Sequence, residues 1–289
     1  MTDSMVPFLA EGRQTGARYR LAALRRAPQG TAGAQLGRLA GESLEFMDHR
    51  EYQPGDDLRR LDWSAYARSD KMIVRLYRQE VCPHLDILID GSRSMALAGT
   101  EKCRACVALA AALATAADNA GHSRHLYLSG HGCRTLVDGH ESPLSWQGLA
   151  FDSQESVPDA LRALPPRWRA QGLRVLLSDL LWVGEPRELL TALSDRAAAV
   201  YVLQILAAED AAPTPRGNMR LVDSETGGGE EFFLDESALL RYRHNLQRHR
   251  DNWRRAARQV GAVFVPLIAE ELCRNWDLSV LVEAGLLTV

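Results

Sequence analysis

Lysine is scarce in this chain: of its 34 basic residues only Lys71 and Lys102 are lysine. Arginine suits planar pairing with carboxylates, but nucleotide composition produces the same bias, so the scarcity excludes little. A dominant charge is missing as well. A net charge of −3 leaves no electrostatic footprint for nucleic acid or an anionic membrane. No stretch approaches the roughly 18 uninterrupted apolar residues of a membrane span. The first residues, MTDSMVPFLAEGRQ, lack the basic-then-apolar layout of a signal peptide. The five cysteines (Cys82, Cys103, Cys106, Cys133, Cys273) are odd in number and scattered. That pattern argues for reduced thiols and a cytoplasmic location rather than a disulfide framework. Cys103-x-x-Cys106 has no second pair and sits in an Ala-rich run, so helix packing explains it better than zinc or redox chemistry.

Several catalytic signatures are absent too. There is no G-x-x-x-x-G-K-S/T, no H-E-x-x-H and no G-x-S-x-G. His122, His125, His131 and Cys133 fall around a predicted strand turn, where surface or turn positions are expected rather than four zinc ligands.

What is present is an alternation of apolar strands and amphipathic helices. Strands are predicted at 85–89, 125–129, 133–137, 174–178, 200–205 and 262–267. Helices are predicted at 101–119, 156–164, 186–195, 235–260 and 269–276. This order implies βαβ units, an α/β class and a mostly parallel sheet covered on both faces. Residues 219–222 and 231–234 flank three glycines and read as a hairpin or edge pair. Ahead of this lies an N-terminal extension, residues 1–80, expected to pack on a main domain of 81–289. In it, 15–27 has helical spacing, the Gly-rich segment that follows reads as irregular, 58–67 as helical or mixed, and 72–77 as a strand. On the 235–260 helix an apolar stripe (Leu239, Tyr242, Leu246, Trp253, Val260) opposes Arg241, His244, Arg248, Arg255 and Arg258. Those cations read as a solvated face, with an acidic partner as the alternative.

The segment with most chemical content is LDILIDGSRSM, residues 85–95. A buried-strand pattern runs into Asp90, Ser92 and Ser94, three small oxygen donors on one turn at a strand end. Mg²⁺ takes oxygen ligands in near-octahedral geometry and keeps several waters. In α/β sheets ligands bind at carboxyl strand ends, and a second strand ends in Ser178-Asp179. The competing reading is that Ser92 and Ser94 cap a helix while Asp90 satisfies backbone donors. A phosphohydrolase using Asp90 and Asp179 is the enzymatic alternative. It lacks its general acid, because position 92 is Ser where an Asp is needed.

These residues resemble a known frame. D-G-S-R-S, the later strand-end S-D and the α/β alternation are similar to the von Willebrand factor A domain and its metal-ion-dependent adhesion site. The string Arg50-Glu51-Tyr52-x-Pro54-Gly55-Asp56-Asp57-x-Arg59-x-x-Asp62-Trp63 further resembles the bacterial domain-of-unknown-function 58 family, from about residue 37 to the C-terminus. The resemblance implies a Rossmann-like sheet and a Mg²⁺ site, with Mn²⁺ or Ca²⁺ as alternatives. Asp90, Ser92, Ser94 and Asp179 carry over as its residues. It also implies a loop threonine, for which 148–164 offers only Ser153 or Ser156. A metal-free scaffold with a degenerate site is therefore a third reading. An acidic side chain of a protein partner would complete the ion, and no catalysis is expected. Relatives of this kind imply a MoxR-type AAA+ ATPase, or its client, as partner. Residues Arg50 to Trp63 read as an ion-pair clamp with Trp63 as apolar anchor, or as a docking surface.

Overall fold

The computed structural model describes residues 5–23, 44–54, 56, 58, 61–79, 83–214, 217–223 and 227–289, with backbone only at 44–48, 75–79 and 221. In chain order the elements are α1 (Val6–Gly16), β1 (Arg20–Leu21), β2 (Leu44–Glu51), α2 (Trp63–Ser69), β3 (Ile73–Gln79), β4 (His84–Ile89) and α3 (Lys102–Asn119). There follow β5 (Ser123–Gly130), β6 (Gly132–Asp138), α4 (Val157–Ala163), β7 (Leu173–Ser178), α5 (Pro186–Ser194), β8 (Ala199–Leu206) and α6 (Ala208–Ala211). The chain ends with β9 (Gly217–Val222), β10 (Gly229–Leu234), α7 (Glu236–Val260), β11 (Val263–Ile268), α8 (Ala269–Asn275), α9 (Ser279–Glu283) and β12 (Leu287–Thr288).

Two compact units result: Met1–Leu24 together with Pro83–Val289, and Arg25–Cys82. This differs from the expected division at 80/81, because the first 24 residues group with the large unit. The reason is α1, which lies along α3. Gly12 and Gly16, one helical turn apart, face Ala108 and Ala112 so closely that a Cβ at either glycine would collide with the opposing backbone carbonyl. The predicted helix at 15–27 is corrected accordingly. Helix α1 starts earlier, with Pro7 in its first turn. Arg20–Leu21 is instead extended, because it pairs with Leu287–Thr288.

The large unit is a mixed α/β structure built on a six-stranded sheet of order β11-β8-β7-β4-β5-β6. All neighbours are parallel except β5 and β6. Strand alternation divides the core. Leu85, Ile87 and Ile89 face one side, which holds α3 and α8. Leu88, Tyr127, Leu176 and Val202 face the other, with Trp253 and Ala257 of α7 and Leu190 of α5. Helix α3 is alanine-rich and buried on nearly every side, as a helix without a polar face must be. Helix α7 buries Leu239, Leu246 and Trp253. β9 and β10 form the antiparallel hairpin expected around the glycines.

In the small unit, β2 and β3 pair antiparallel with an irregularity between Phe46 and Asp48. Leu61 and Val74 are bridged and buried. Residues 24–43, and with them the Gly-rich segment, lie outside the described residues. No helix among the described residues is long and apolar enough to cross a membrane.

Candidate metal-binding and docking site

Strand β4 delivers Asp90 to its carboxyl end, between β5 and β7. The Asp90 amide donates to the Leu177 carbonyl at 2.9 Å, continuing the parallel ladder by one residue. Gly91 is held against β5: a Cβ there would collide with the Ser129 carbonyl, and its amide donates to Ser129 Oγ at 3.1 Å. The chain then turns into a short 3-10 segment, Arg93–Ala96. Ser92 precedes that segment without capping it. Its hydroxyl instead lies 3.0 Å from the Ser94 hydroxyl. The helix-cap reading of Ser92 is thereby not realised, whereas Asp90 does accept a backbone bond, from the Ser92 amide at 3.0 Å.

The other carboxylate oxygen of Asp90 accepts from Ser178 Oγ at 2.6 Å. Burial pushes the Asp90 carboxyl up to about 6, and the neighbouring Asp179 adds to the rise. A group so placed attracts positive charge.

The two candidate loop serines separate. Ser153 pairs with Ser92 in a parallel bridge, through bonds from Ser153 N to Gly91 O and from Arg93 N to Ser153 O, both 3.1 Å. Its hydroxyl accepts from the Glu155 amide at 3.0 Å. Ser156 instead caps α4, accepting from the Asp159 amide and donating to the Asp159 carboxylate at 2.5 Å. Ser153 is thus the serine on the turn. The Ser92 and Ser94 hydroxyls lie together beside Asp90, with Ser153 bridged to Ser92 through the backbone, and hydroxyl and carboxylate oxygens are the donor types that suit a hard divalent cation.

Asp179 is engaged by a group that the sequence reading passed over. Lys102, at the start of α3, places its ammonium 2.7 Å from Asp179 and 3.3 Å from Asp210. Burial alone would push this ammonium down, but Asp179 and Asp210 hold it above its ordinary range. Asp210 follows β8 and accepts from the Ala207 amide at 3.2 Å. Gln204 of β8 donates to the Asp179 carbonyl at 3.1 Å and accepts from Arg250 of α7 at 3.1 Å. The one signal for Lys102 was its rarity, one of two lysines, standing just ahead of an alanine-rich run.

In the small unit, Arg50 donates to Asp56 at 2.8 Å, and Asp56 accepts from the Gln53 amide at 2.9 Å. Asp62 caps α2, accepting from the Ser64 and Ala65 amides at 3.0 Å, and meets His49 at 3.0 Å. Tyr52 donates its amide to the Met72 carbonyl at 2.9 Å. Gly55, Asp57 and Arg59 lie outside the described residues. Trp63, expected as an apolar anchor or part of a docking surface, is 63% exposed, with an edge contact to Tyr66 at 6.3 Å. A large exposed aromatic of this kind is a common anchor for a partner.

The chain is 28% identical over 260 residues to an uncharacterized protein of Mycobacterium bovis, Mb1516, covering 84% of this chain and 80% of that one. The same figures hold for the uncharacterized Rv1480 of Mycobacterium tuberculosis. Among solved structures it is similar to the conserved hypothetical protein BatB from Bacteroides thetaiotaomicron, at 12% identity and a TM-score of 0.38, over 70% of this chain and 98% of that one. A second is an aerotolerance-related membrane protein from Bacteroides fragilis, at 13% identity and a TM-score of 0.39, over 70% and 96%. Those scores are too low to establish a shared fold. The family described as Protein of unknown function DUF58 matches residues 48–254, well over half of the 289, and the chain belongs to that family.

Proposed function

We propose that this chain is a non-catalytic, cytoplasmic protein-binding module of von Willebrand factor A type. In this reading Asp90, Ser92, Ser94 and Ser153 hold Mg²⁺, with Asp179 nearby, and an acidic side chain of the partner completes the ion's shell. The observation that carries the reading is the 3.0 Å approach of the Ser92 and Ser94 hydroxyls, on a turn that Ser153 pairs with and where neither serine is used as a helix cap. The resemblance in the motifs adds a MoxR-type AAA+ ATPase, or its client, as the partner class. A phosphohydrolase has less support, since Ser92 cannot deliver a proton near neutral pH.

One observation favours a second reading, a metal-free scaffold. The Lys102 ammonium is already a cation against Asp179, so the cluster is partly neutralised by the protein itself.

Calorimetric titration with Mg²⁺ and Mn²⁺ separates the two. Saturable heat in the wild type that disappears in Asp90→Ala and in Ser94→Ala supports the metal site. Identical heats in all three sink it. A pull-down from lysate washed with Mg²⁺ or with EDTA then reports whether partner capture depends on the ion.

A further inference from the structure

At the opposite, amino-terminal ends of β4 and β5 lies a second cluster unconnected with the serine turn. His84 and Asp86 stand on one face of β4, two residues apart, and His125 is the cross-strand neighbour of Asp86. His84 Nε2 is 2.9 Å from Asp86 Oδ1 and 3.2 Å from His125 Nδ1, and His125 Nδ1 is 3.2 Å from Asp86 Oδ1. Three ligand atoms at these spacings fit around one tetrahedral ion, whose bonds of about 2.0–2.1 Å put its ligands about 3.3 Å apart. We propose that His84, Asp86 and His125 bind a zinc-class transition-metal ion, with the fourth position left to water.

The outer contacts of both rings fix how they face Asp86. The outer nitrogen of each ring is anchored: His125 Nε2 lies 3.0 Å from Asp138, and His84 Nδ1 lies 2.8 Å from Ser123 Oγ. A carboxylate only accepts, so His125 Nε2 carries a proton toward Asp138, and when the ring is neutral its Nδ1 is a lone pair able to ligate. Ser123 Oγ, which accepts from Arg169, keeps a proton it can donate to His84 Nδ1, so in metal-free protein His84 Nε2 donates to Asp86 Oδ1. With an ion bound, both rings would turn a lone pair inward, and two nitrogens and a carboxylate oxygen would converge on it in place of the His84–Asp86 hydrogen bond. Tyr127 Oη, which donates to the Arg167 carbonyl at 3.0 Å, lies 3.0 Å from His125 Nδ1. Rings steered by an outer carboxylate or hydroxyl are the usual support of metal-ligating histidines.

Charge points the same way. Asp86 is fully buried, and its Oδ2 has no hydrogen-bond partner. That oxygen lies against Gly172. Arg174 is the cross-strand neighbour of Asp86 on β7, but its guanidinium donates to the Leu193 carbonyl and lies over Trp168 at 4.9 Å. Nitrogen donors with one carboxylate suit Zn²⁺ rather than Mg²⁺. Asp86 and Asp90 are four strand residues apart, about 13 Å, so this site stands or falls independently of the serine turn.

The test is a titration of chelator-stripped full-length chain with Zn²⁺, against a chromophoric indicator and with Mg²⁺ in excess. One Zn²⁺ per chain is expected. His125→Ala should lower the affinity at least ten-fold, with folding checked by circular dichroism. Asp138 is 81% exposed, so Asp138→Asn leaves the core intact and should still weaken the ion roughly ten-fold by releasing the ring. Ser92→Ala should leave the Zn²⁺ affinity unchanged. No zinc uptake, undiminished affinity in both His125→Ala and Asp138→Asn, or a thiolate charge-transfer band in the Co²⁺-loaded protein would each overturn the proposal.

Discussion

Lys102 Nζ lies 2.7 Å from Asp179 Oδ2, with the two side chains 2% and 3% exposed. An ion pair this deeply buried is costly to break, because the surviving charge stays desolvated. Lys102→Met leaves Asp179 and Asp210 without their shared cation. In EDTA the variant should lose roughly 3 kcal/mol of unfolding free energy. On the metal-site reading, Mg²⁺ replaces the missing positive charge and restores part of the loss. Denaturant unfolding with and without Mg²⁺ measures both, and wild-type stability in EDTA would contradict the pairing.

The seam between α1 and α3 makes a separate prediction. Gly12 has no room for a side chain, since the Ala108 carbonyl occupies the place of a Cβ. Gly12→Ala raises intrinsic helix propensity but forces the two helices apart. Overpacking should dominate and destabilise by roughly 2 kcal/mol. A stabilised variant in thermal unfolding would show that the helices separate freely.

Glu11 and Arg104 tie the same two helices, with contacts of 2.6 and 2.9 Å. The Arg104 guanidinium holds the Glu11 carboxyl below its ordinary value. A carboxylate lowered on folding stabilises above its unfolded value, and that contribution is lost as pH falls through the folded one. Glu11→Gln should therefore cost about 1 kcal/mol near neutral pH. The gap from wild type should close as pH falls below the glutamate range. Chemical denaturation at several pH values checks it, and a gap independent of pH would remove the charge from the explanation.

Trp63 tests the small unit as a docking surface. With its ring largely in solvent, Trp63→Ala should change stability by no more than about 0.5 kcal/mol. Capture of the protein partner should fall about ten-fold if the ring is an anchor. Unchanged capture in a titrated pull-down would assign Trp63 no role in docking.

Much of the large unit was legible because its strands and helices announce themselves locally. The run Leu85 to Ile89 is apolar throughout, and the predicted strand differs from β4 by one residue. Helix α7, predicted at 235–260, carries its own signals: an Asp235 cap and a Gly261 in the left-handed region after it. Arg20–Leu21 failed that test because its extended form depends on Leu287–Thr288, more than 260 positions away. The place of α1 was equally hidden, since Gly12 and Gly16 acquire meaning only opposite Ala108 and Ala112.

The candidate sites divide in the same way. Asp90, Ser92 and Ser94 fall within five consecutive residues, so one tight turn brings them together and the sequence alone could name them. The sequence by itself determined the α/β class, the strand-end turn and the family string from Arg50 to Trp63. Only the tertiary structure decided that Ser153 joins Ser92 while Ser156 caps α4, and that Lys102 reaches Asp179. It also decided that His125, expected at the surface or in a turn, stands beside His84 and Asp86. The physical reason is register. Parallel strands distant in sequence lie about 4.8 Å apart in space, and no local pattern records which residue faces which across that gap.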